Sequence, residues 1–499
     1  MLEGLSQAFQ ASLGADAIIF MIIGGVFGLT FGALPGLGGT TALALLIPFS
    51  YGMQPMVAMM MFGSTMGAVP FGGSVSAIML NTPGTPQNIA TCFDGYPLAQ
   101  KGKAGLALGA SLTASPLGTL VGLAVLVLLI PVVRGVILSF GPPEFALLVF
   151  LGVIALALLT KGNALKGLIS GGIGFLLSYV GFFSMTGETR FALGIRYLED
   201  GIGLIPPAIG IFAIAEAINL SLRKGRAIAT AVEKIAAPKF SQVIEGMGSV
   251  FKHWFTFLRS SLMGTLIGLI PALGGAVANV LVWITAAQLS RRGRYFGTGE
   301  IEGLVAAESA NDAKDGGALL PTVGFGVPGS AEMAILLGAF VLHGLVPGPQ
   351  LLREDVSIVW ALILALIFGS FQAAAIGLAT SKFIVRVTTI RGDVVASVVL
   401  FISLLGSYAF RGSILDTLLS LIFGVIGYLM IRYDFSRPTF ILGLILGGIL
   451  ELNLLQSLMM SDAGLAIFLL RPISIILLLL IILTFFFALV LPWLRHKRT

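Results

Sequence analysis

Long apolar runs recur along the whole of this chain, and they restrict its fold more than any other feature. Leu117–Val133, Phe145–Leu159, Leu262–Leu289, Val356–Leu378 and Ile473–Leu491 each approach or exceed the ~18 residues a helix needs to cross a bilayer. Only 10% of the 499 residues are charged, against about 25% in a soluble domain. With so little polar surface, the chain reads as an all-α polytopic membrane protein. About eleven or twelve transmembrane helices are expected, with re-entrant or broken helices besides.

The remaining composition excludes several classes. A single cysteine, Cys92, rules out an intramolecular disulfide and a cysteine-built metal site. His253, His343 and His496 are widely scattered, which argues against a histidine metal cluster. The net charge of +6 reads as topology, not nucleic-acid binding. Basic residues occupy short loops and the Arg495-His496-Lys497-Arg498 tail, where cytoplasmic positive charge belongs. The N-terminal stretch lacks a basic n-region, so a cleavable signal peptide is not expected.

The apolar segment from Ile18 to Pro48 is interrupted by GALPGLGGTT at 32–41. A backbone group without a partner in lipid costs several kcal/mol. Such a break survives only where protein or a water-filled cavity surrounds it. Close helix packing through glycine would account for one such stretch, but there are two. GLTFGALPGLGGTTALA (28–44) aligns without gaps on GTLIGLIPALGGAVANV (264–280), positions 236 apart, with seven of the seventeen pairs identical. Further on, Pro83-Gly84-Thr85 answers Pro328-Gly329-Ser330, Ser170 and Gly174 answer Ser420 and Gly424, and Phe191–Gly194 answers Phe440–Gly443.

A duplicated membrane chain with matching broken segments is the pattern of a secondary transporter. The expected division is a membrane repeat at 1–222, a basic cytoplasmic linker at 223–261, a second repeat at 262–470, and an extra helix with basic tail at 471–499. If linker and tail share the cytoplasmic side, the two halves are inverted. Arg259 and Arg291 flank the second break, and a re-entrant hairpin with PALGG at its tip satisfies both better than a broken crossing helix does.

These motifs supply the candidate substrate-binding residues. In the breaks they are Gly36, Gly38, Gly39 and Thr40, answered by Gly274, Gly275 and Asn279. Free N–H groups and the helix dipole at such starts favour a carboxylate. GGSVSAIMLNTPGTPQN (72–88) adds Ser74, Ser76, Asn81, Thr82 and Thr85, and its partner adds Pro328, Gly329 and Ser330. Their hydroxyls and amides either hold a ligand or merely satisfy carbonyls freed by proline. The charged segment EGLVAAESANDAKDGGALLP (302–321) carries Glu308, Asp312, Lys314 and Asp315, read either as a proton or Na⁺ relay or as a solvated loop. Within it Ser309 and Asn311 are the better substrate contacts. A candidate Na⁺ site lies near Pro35, Gly38, Pro271 and Gly274, where the broken segments free carbonyls. Arg190, Arg196, Arg411 and Arg437 stand at expected helix ends and read as topology anchors.

At these motifs, and over nearly the whole chain including PPAIGIFAIAEAI (206–218), the sequence resembles the large membrane subunit of tripartite tricarboxylate transporters. The resemblance implies a permease of the bacterial inner (cytoplasmic) membrane, surrounded by lipid. Its partners would be a small membrane subunit and a periplasmic solute-binding protein, with no nucleic acid. It would import a small di- or tricarboxylate by symport with Na⁺ or H⁺, without a cofactor. Two positions depart from the family's pattern: Asp312 stands where asparagine is usual, and Glu332 where a small or polar residue follows GVPGSA. The alternative is a stand-alone carrier of another small anion. An intramembrane enzyme is not expected, because no HExxH, GxSxG or paired intramembrane aspartates stand where chemistry would need them, and without a GxxxxGK[ST] loop the chain is not expected to use ATP.

Overall fold

The computed structural model describes residues 2–137, 140–158, 164–183, 187–222, 238–270, 275–388, 392–461 and 464–485. The chain is almost wholly helical. It begins with α1 (Leu2–Ser12) and α2 (Ala15–Ala33), which breaks at Leu34 and resumes as α3 (Gly38–Ser50). There Pro35 can donate no hydrogen bond, and Gly36 and Gly38 adopt φ of +91° and +61°, which glycine reaches without steric cost. Next come α4 (Pro55–Leu80), a 3₁₀ turn at Pro86–Asn88, α5 (Ile89–Gln100) and the long α6 (Ala104–Ile137). Helices α7 (Pro142–Leu158) and α8 (Ala164–Ser178) lead to a small hairpin of β1 (Gly181–Phe183) and β2 (Glu188–Arg190). Beyond the short α9 (Arg196–Glu199), one apolar span joins α10 (Ile205–Ala208), a π-helical turn at Ile209–Ile214, and α11 (Ala215–Leu222).

The second half starts inside the interval expected as a linker, where Phe240–Lys252 forms helix α12 along α6. Then follow α13 (Trp254–Gly268), α14 (Gly275–Leu289), the 25-residue α15 (Ile301–Phe325), α16 (Ala331–Leu342) and α17 (Pro349–Arg353). The rest is α18 (Val356–Thr388), α19 (Gly392–Arg411), α20 (Ile414–Arg432), α21 (Arg437–Met459), α22 (Ile467–Leu470) and α23 (Pro472–Phe485). Among the described residues eight helices are long and apolar enough to cross a membrane, and the bent pair Gly464–Leu470 and Pro472–Thr484 makes a ninth. Shorter apolar helices, including α3, α8 and α16, lie among them.

Packing between the halves is reciprocal. Helix α4 lies along α18 while α15 lies along α6; α2 packs on α4 as α13 packs on α15. Likewise α8 meets α21, and α20 meets the π-helical turn. Both α4 and α15 are buried over most of their length and end in a left-handed residue, Asn81 and Gly326, before their Pro-Gly-hydroxyl motif. One sequence match fails. Phe191–Gly194 is an irregular turn after β2, with Phe191 and Leu193 at positive φ, whereas Phe440–Gly443 is helical. The last spans of the two halves correspond instead through proline, at Pro206 and Pro207 opening α10 and at Pro438 opening α21.

Charged α15 reaches the centre of the molecule because small residues let its neighbours approach. A Cβ at Gly122 of α6 would sit 2.9 Å from the Cα of Ala313, and one at Gly264 of α13 2.9 Å from the Cα of Ala310. Small residues serve this purpose wherever lipid removes the hydrophobic drive between helices. Gly122→Leu is therefore expected to cost about 3 kcal/mol or prevent folding, since overpacking forces the backbones apart. Gly172→Leu, where a Cβ meets open space, serves as the control. Thermal unfolding of both purified variants is the check.

Candidate functional site

The first break, the start of α14 at Gly275 and both Pro-Gly-hydroxyl motifs converge on one cavity of about 460 Å³. Gly36, Gly38, Gly39 and Thr40 supply one wall, Thr85 and Gln87 a second, Gly275 a third, and Ser330 with Glu332 a fourth. Phe212 and the Arg437-Pro438 start of α21 complete it. Four helices, α3, α14, α16 and α21, thus begin at the same space. The first N–H groups of a helix have no intrahelical acceptor, and together with the dipole they attract an anion. At α16 the hydroxyl of Ser330 accepts from the N–H of Met333 at 3.3 Å, which fixes that helix start.

The glycines are spacing devices here. A Cβ at Gly39 would lie 2.7 Å from Oε1 of Glu332, and one at Gly275 would lie 2.8 Å from Cδ of Lys314 and 3.0 Å from Cβ of Gln87. Gln87 and Glu332 are related by the repeat, each two residues beyond the hydroxyl of its motif. They meet, Nε2 of Gln87 donating to Oε1 of Glu332 at 3.3 Å. Behind them a water-sized chamber of about 10 Å³ is walled by Gly39, Pro70, Gln87, Asp315 and Glu332. Asp315 is paired with Nζ of Lys314 at 2.5 Å.

Arg437 brings the cationic side chain that the breaks themselves lack. Its Nη1 lies 3.4 Å from Oε2 of Glu216 and 3.4 Å from the carbonyl of Ile211. The guanidinium also stands 5.8 Å from the Phe212 ring centroid. The π-helical turn matters here, because widening the helix redirects carbonyls that an α-helix would use internally. The expectation that Arg437 is an anchor at a helix end is thus corrected. It does open a helix, but that helix opens into the cavity. Arg190 fits the anchor role, gripping Glu451 bidentately at 2.7 and 2.8 Å, and that carboxylate holds the guanidinium above its ordinary pKa. Arg411 lies beside Phe410 and close to Gly203.

The other expected site residues lie elsewhere. Ser74 is buried behind the cavity, bonded to Glu308, and Ser76 donates to the carbonyl of Gly73. Asn81 caps α4 and Thr82 donates to the carbonyl of Leu80. Asn279 donates to the carbonyl of Gln87 at 2.8 Å and to Oδ1 of Asn311 at 3.0 Å, a buried amide pair one layer back. Ser309 is turned to the carbonyl of Ala306, and the N–H of Gly329 donates to Thr322. Pro328 is buried in the turn between α15 and α16. Gly274 and Pro271 lie outside the described residues. The solvated-loop reading of 302–321 is corrected as well: Glu308, Asp312, Lys314 and Asp315 are all buried on α15.

The missed residues had a partial signal. Gln87 and Glu332 stand at matched positions of the two motifs. Ser436-Arg437-Pro438 carries an N-cap serine, whose hydroxyl accepts from the N–H of Thr439, followed by a proline in the first turn. That places Arg437 at a helix start, but which space the start faces is a tertiary fact.

A helical membrane protein whose two related halves deliver paired helix starts to one cavity has the build of a solute transporter. The family described as tripartite tricarboxylate transporter TctA matches residues 18–442, and the chain belongs to that family. It is 29% identical over 509 aligned residues to an Agrobacterium vitis protein described as an uncharacterized 52.8 kDa protein in the TAR-I ttuC' 3' region, covering 100% of this chain and 98% of the relative. A second Agrobacterium vitis protein, from the TAR-II ttuC' 3' region, is 29% identical over 235 residues, 47% of this chain and 97% of its own length. A solved Eremococcus coleocola manganese transporter mutant aligns over 96% of both chains at 13% identity with a TM-score of 0.14, too low to carry an argument.

Proposed function

We propose that the chain is the large permease subunit of a binding-protein-dependent secondary transporter that imports a small di- or tricarboxylate through this cavity. The observation that carries the reading is Arg437 standing at a space where four helix N-termini meet. A guanidinium binds a carboxylate through paired, charge-assisted hydrogen bonds. Each helix dipole adds about 0.3–2 kcal/mol, so an anion with several carboxylates uses several ends at once. Gly38 opening α3 and Gly275 opening α14 let backbone N–H groups reach the ligand.

In this reading the substrate arrives from a periplasmic binding protein, and a small membrane subunit completes the complex in the bacterial inner membrane. The halves are inverted repeats about a pseudo-twofold passing near the Gln87–Glu332 contact, and transport is driven by Na⁺ or H⁺. The test is citrate uptake into proteoliposomes holding the complete complex, with and without the binding protein, under an imposed Na⁺ or proton gradient. Uptake that needs both the binding protein and a gradient supports the reading. Gradient-driven uptake indifferent to the binding protein would make the chain a stand-alone carrier.

A further inference from the structure

Among the buried carboxylates without a role so far, one is connected to the cavity by side chains alone. Glu308, 0% exposed on α15, is held only by hydroxyls. Ser74 of α4 donates to it at 2.8 and 3.0 Å, Thr91 of α5 at 2.5 Å, and Ser111 of α6 also donates. Among the described residues no cation pairs with it. The hydrogen bonds do not stop at this cage. Nδ2 of Asn88 donates to Oγ of Ser74 at 2.9 Å, and Oγ1 of Thr85 donates to Oδ1 of Asn88 at 2.5 Å. Thr85 lines the cavity. An unbroken chain of side chains therefore runs from the cavity wall to Glu308.

We propose that Glu308 is a proton-binding group coupled to occupancy of the cavity through Ser74, Asn88 and Thr85, an inference that rests on the cavity being the anion site. A buried carboxylate with no cationic partner is unfavourable, and taking up a proton relieves it. The cage suits a proton better than a metal ion, because all three hydroxyls point their hydrogens at the carboxylate. A sodium ion would need each of them turned round, together with further oxygen ligands.

The coupling follows from donors and acceptors. An anion in the cavity competes for the hydroxyl hydrogen of Thr85, which Asn88 Oδ1 then loses. The freed amide turns its oxygen to Ser74, whose hydrogen moves from Glu308 to that oxygen. A lone pair of the Glu308 carboxylate then takes up a proton from the bulk medium, forming an O–H that donates to Oγ of Ser74. The turn moves one amide hydrogen of Asn88 from Ser74 to Oγ1 of Thr85 and withdraws the other from the carbonyl of Pro70, and one proton enters for one anion. By linkage the proton must favour the anion as much as the anion favours the proton.

The charged surroundings leave Glu308 apart. α4 and α14 have no titratable side chain; α6 has only Arg134, in its last turn, and α13 only Arg259, beside Phe255. α5 carries Cys92, within electrostatic reach of Glu308, while its Asp94 is bound by Trp283 and by the backbone N–H groups of Gly297, Gly299 and Glu300, and it also carries Tyr96. α12 carries Glu245 and Lys252, α16 carries Glu332 on Gln87, and α17 carries Arg353. On α15 itself Asp312 takes Ser115, Lys314 holds Asp315, and Glu302 takes Thr256 and Ser290.

The experiment is infrared difference spectroscopy on the full-length protein in lipid nanodiscs, titrated with acid and separately with citrate. A carbonyl stretch of a protonated, buried carboxylic acid is expected on acidification and again on adding citrate at fixed pH. Glu308→Gln is expected to lose both signals and Asp312→Asn to keep both. Thr85→Val is expected to keep the acid-induced band and lose the citrate-induced one. Should Glu308→Gln fail to fold, Glu308→Asp supplies the assignment by displacing the band's frequency. A band that survives Glu308→Gln in folded protein overturns the proposal, as does one suppressed by exchanging choline for Na⁺. Calorimetry separates the two readings: no citrate binding counts against the cavity as a carboxylate site, whereas binding without the band counts against the coupling alone.

Discussion

Arg437→Ala is expected to weaken citrate binding roughly 100-fold, about 2.7 kcal/mol, near the upper end of the roughly 1.5–3 kcal/mol that a hydrogen bond to a charged group contributes. Two effects add. The anion loses its paired donors, and Glu216, 4% exposed and close to Gly36, loses its cationic partner. Arg437→Lys keeps the charge but not the planar fork, so an intermediate loss is expected. Arg190→Ala, which removes a side chain held by Glu451, is expected to leave affinity unchanged. Calorimetry on the purified complex reads all three. Arg437→Ala binding within about threefold of wild type, a difference under 1 kcal/mol, would rule out the guanidinium as the carboxylate ligand.

The second large effect is at Gly38. Its φ of +61° costs an L-residue about 1–2 kcal/mol, which a membrane domain of this size survives. Position matters more than strain. A Cβ there would stand 3.8 Å from Cγ2 of Thr85, so the outer carbons of a leucine enter the gap between the α3 start and the 83–85 turn. Gly38→Leu is therefore expected to insert normally and to transport nothing, with Gly38→Ala retaining part of the rate. Gly274, the aligned glycine of the second break, is expected to behave alike. Wild-type uptake by both leucine variants in proteoliposomes would mean that ligand does not pass between these tips.

Much of the architecture was legible in the residues because its physical causes are local. A proline and positive-φ glycines inside an apolar run terminate one helix and start another wherever the chain goes, so the α2–α3 break could be read directly. The repeat supplied its partner, and it aligned Thr85 with Ser330, both of which line the cavity. Matching by residue type failed where packing decides conformation. Phe191–Gly194 and Phe440–Gly443 share letters, yet one follows a β-hairpin and the other sits inside α21. The charged stretch 302–321 reads equally as a loop or a relay, because a helix with four ionisable groups is affordable only when hydroxyls and a lysine from its surroundings meet them.

What the sequence determined by itself is the all-helical membrane class, the α2–α3 interruption and most of the pairing of motifs between halves, all consequences of apolar length and of proline and glycine backbone chemistry. Tertiary structure alone decided that four helix starts share one cavity, that Arg437 opens into it from a span 350 residues beyond Gln87, and that Glu308 is caged by α4, α5 and α6. Those facts depend on how the halves exchange partners, α4 with α18 and α15 with α6. Backbone contact through glycine sets that exchange. Its geometry belongs to pairs of helices far apart in sequence, so no single stretch of residues encodes it.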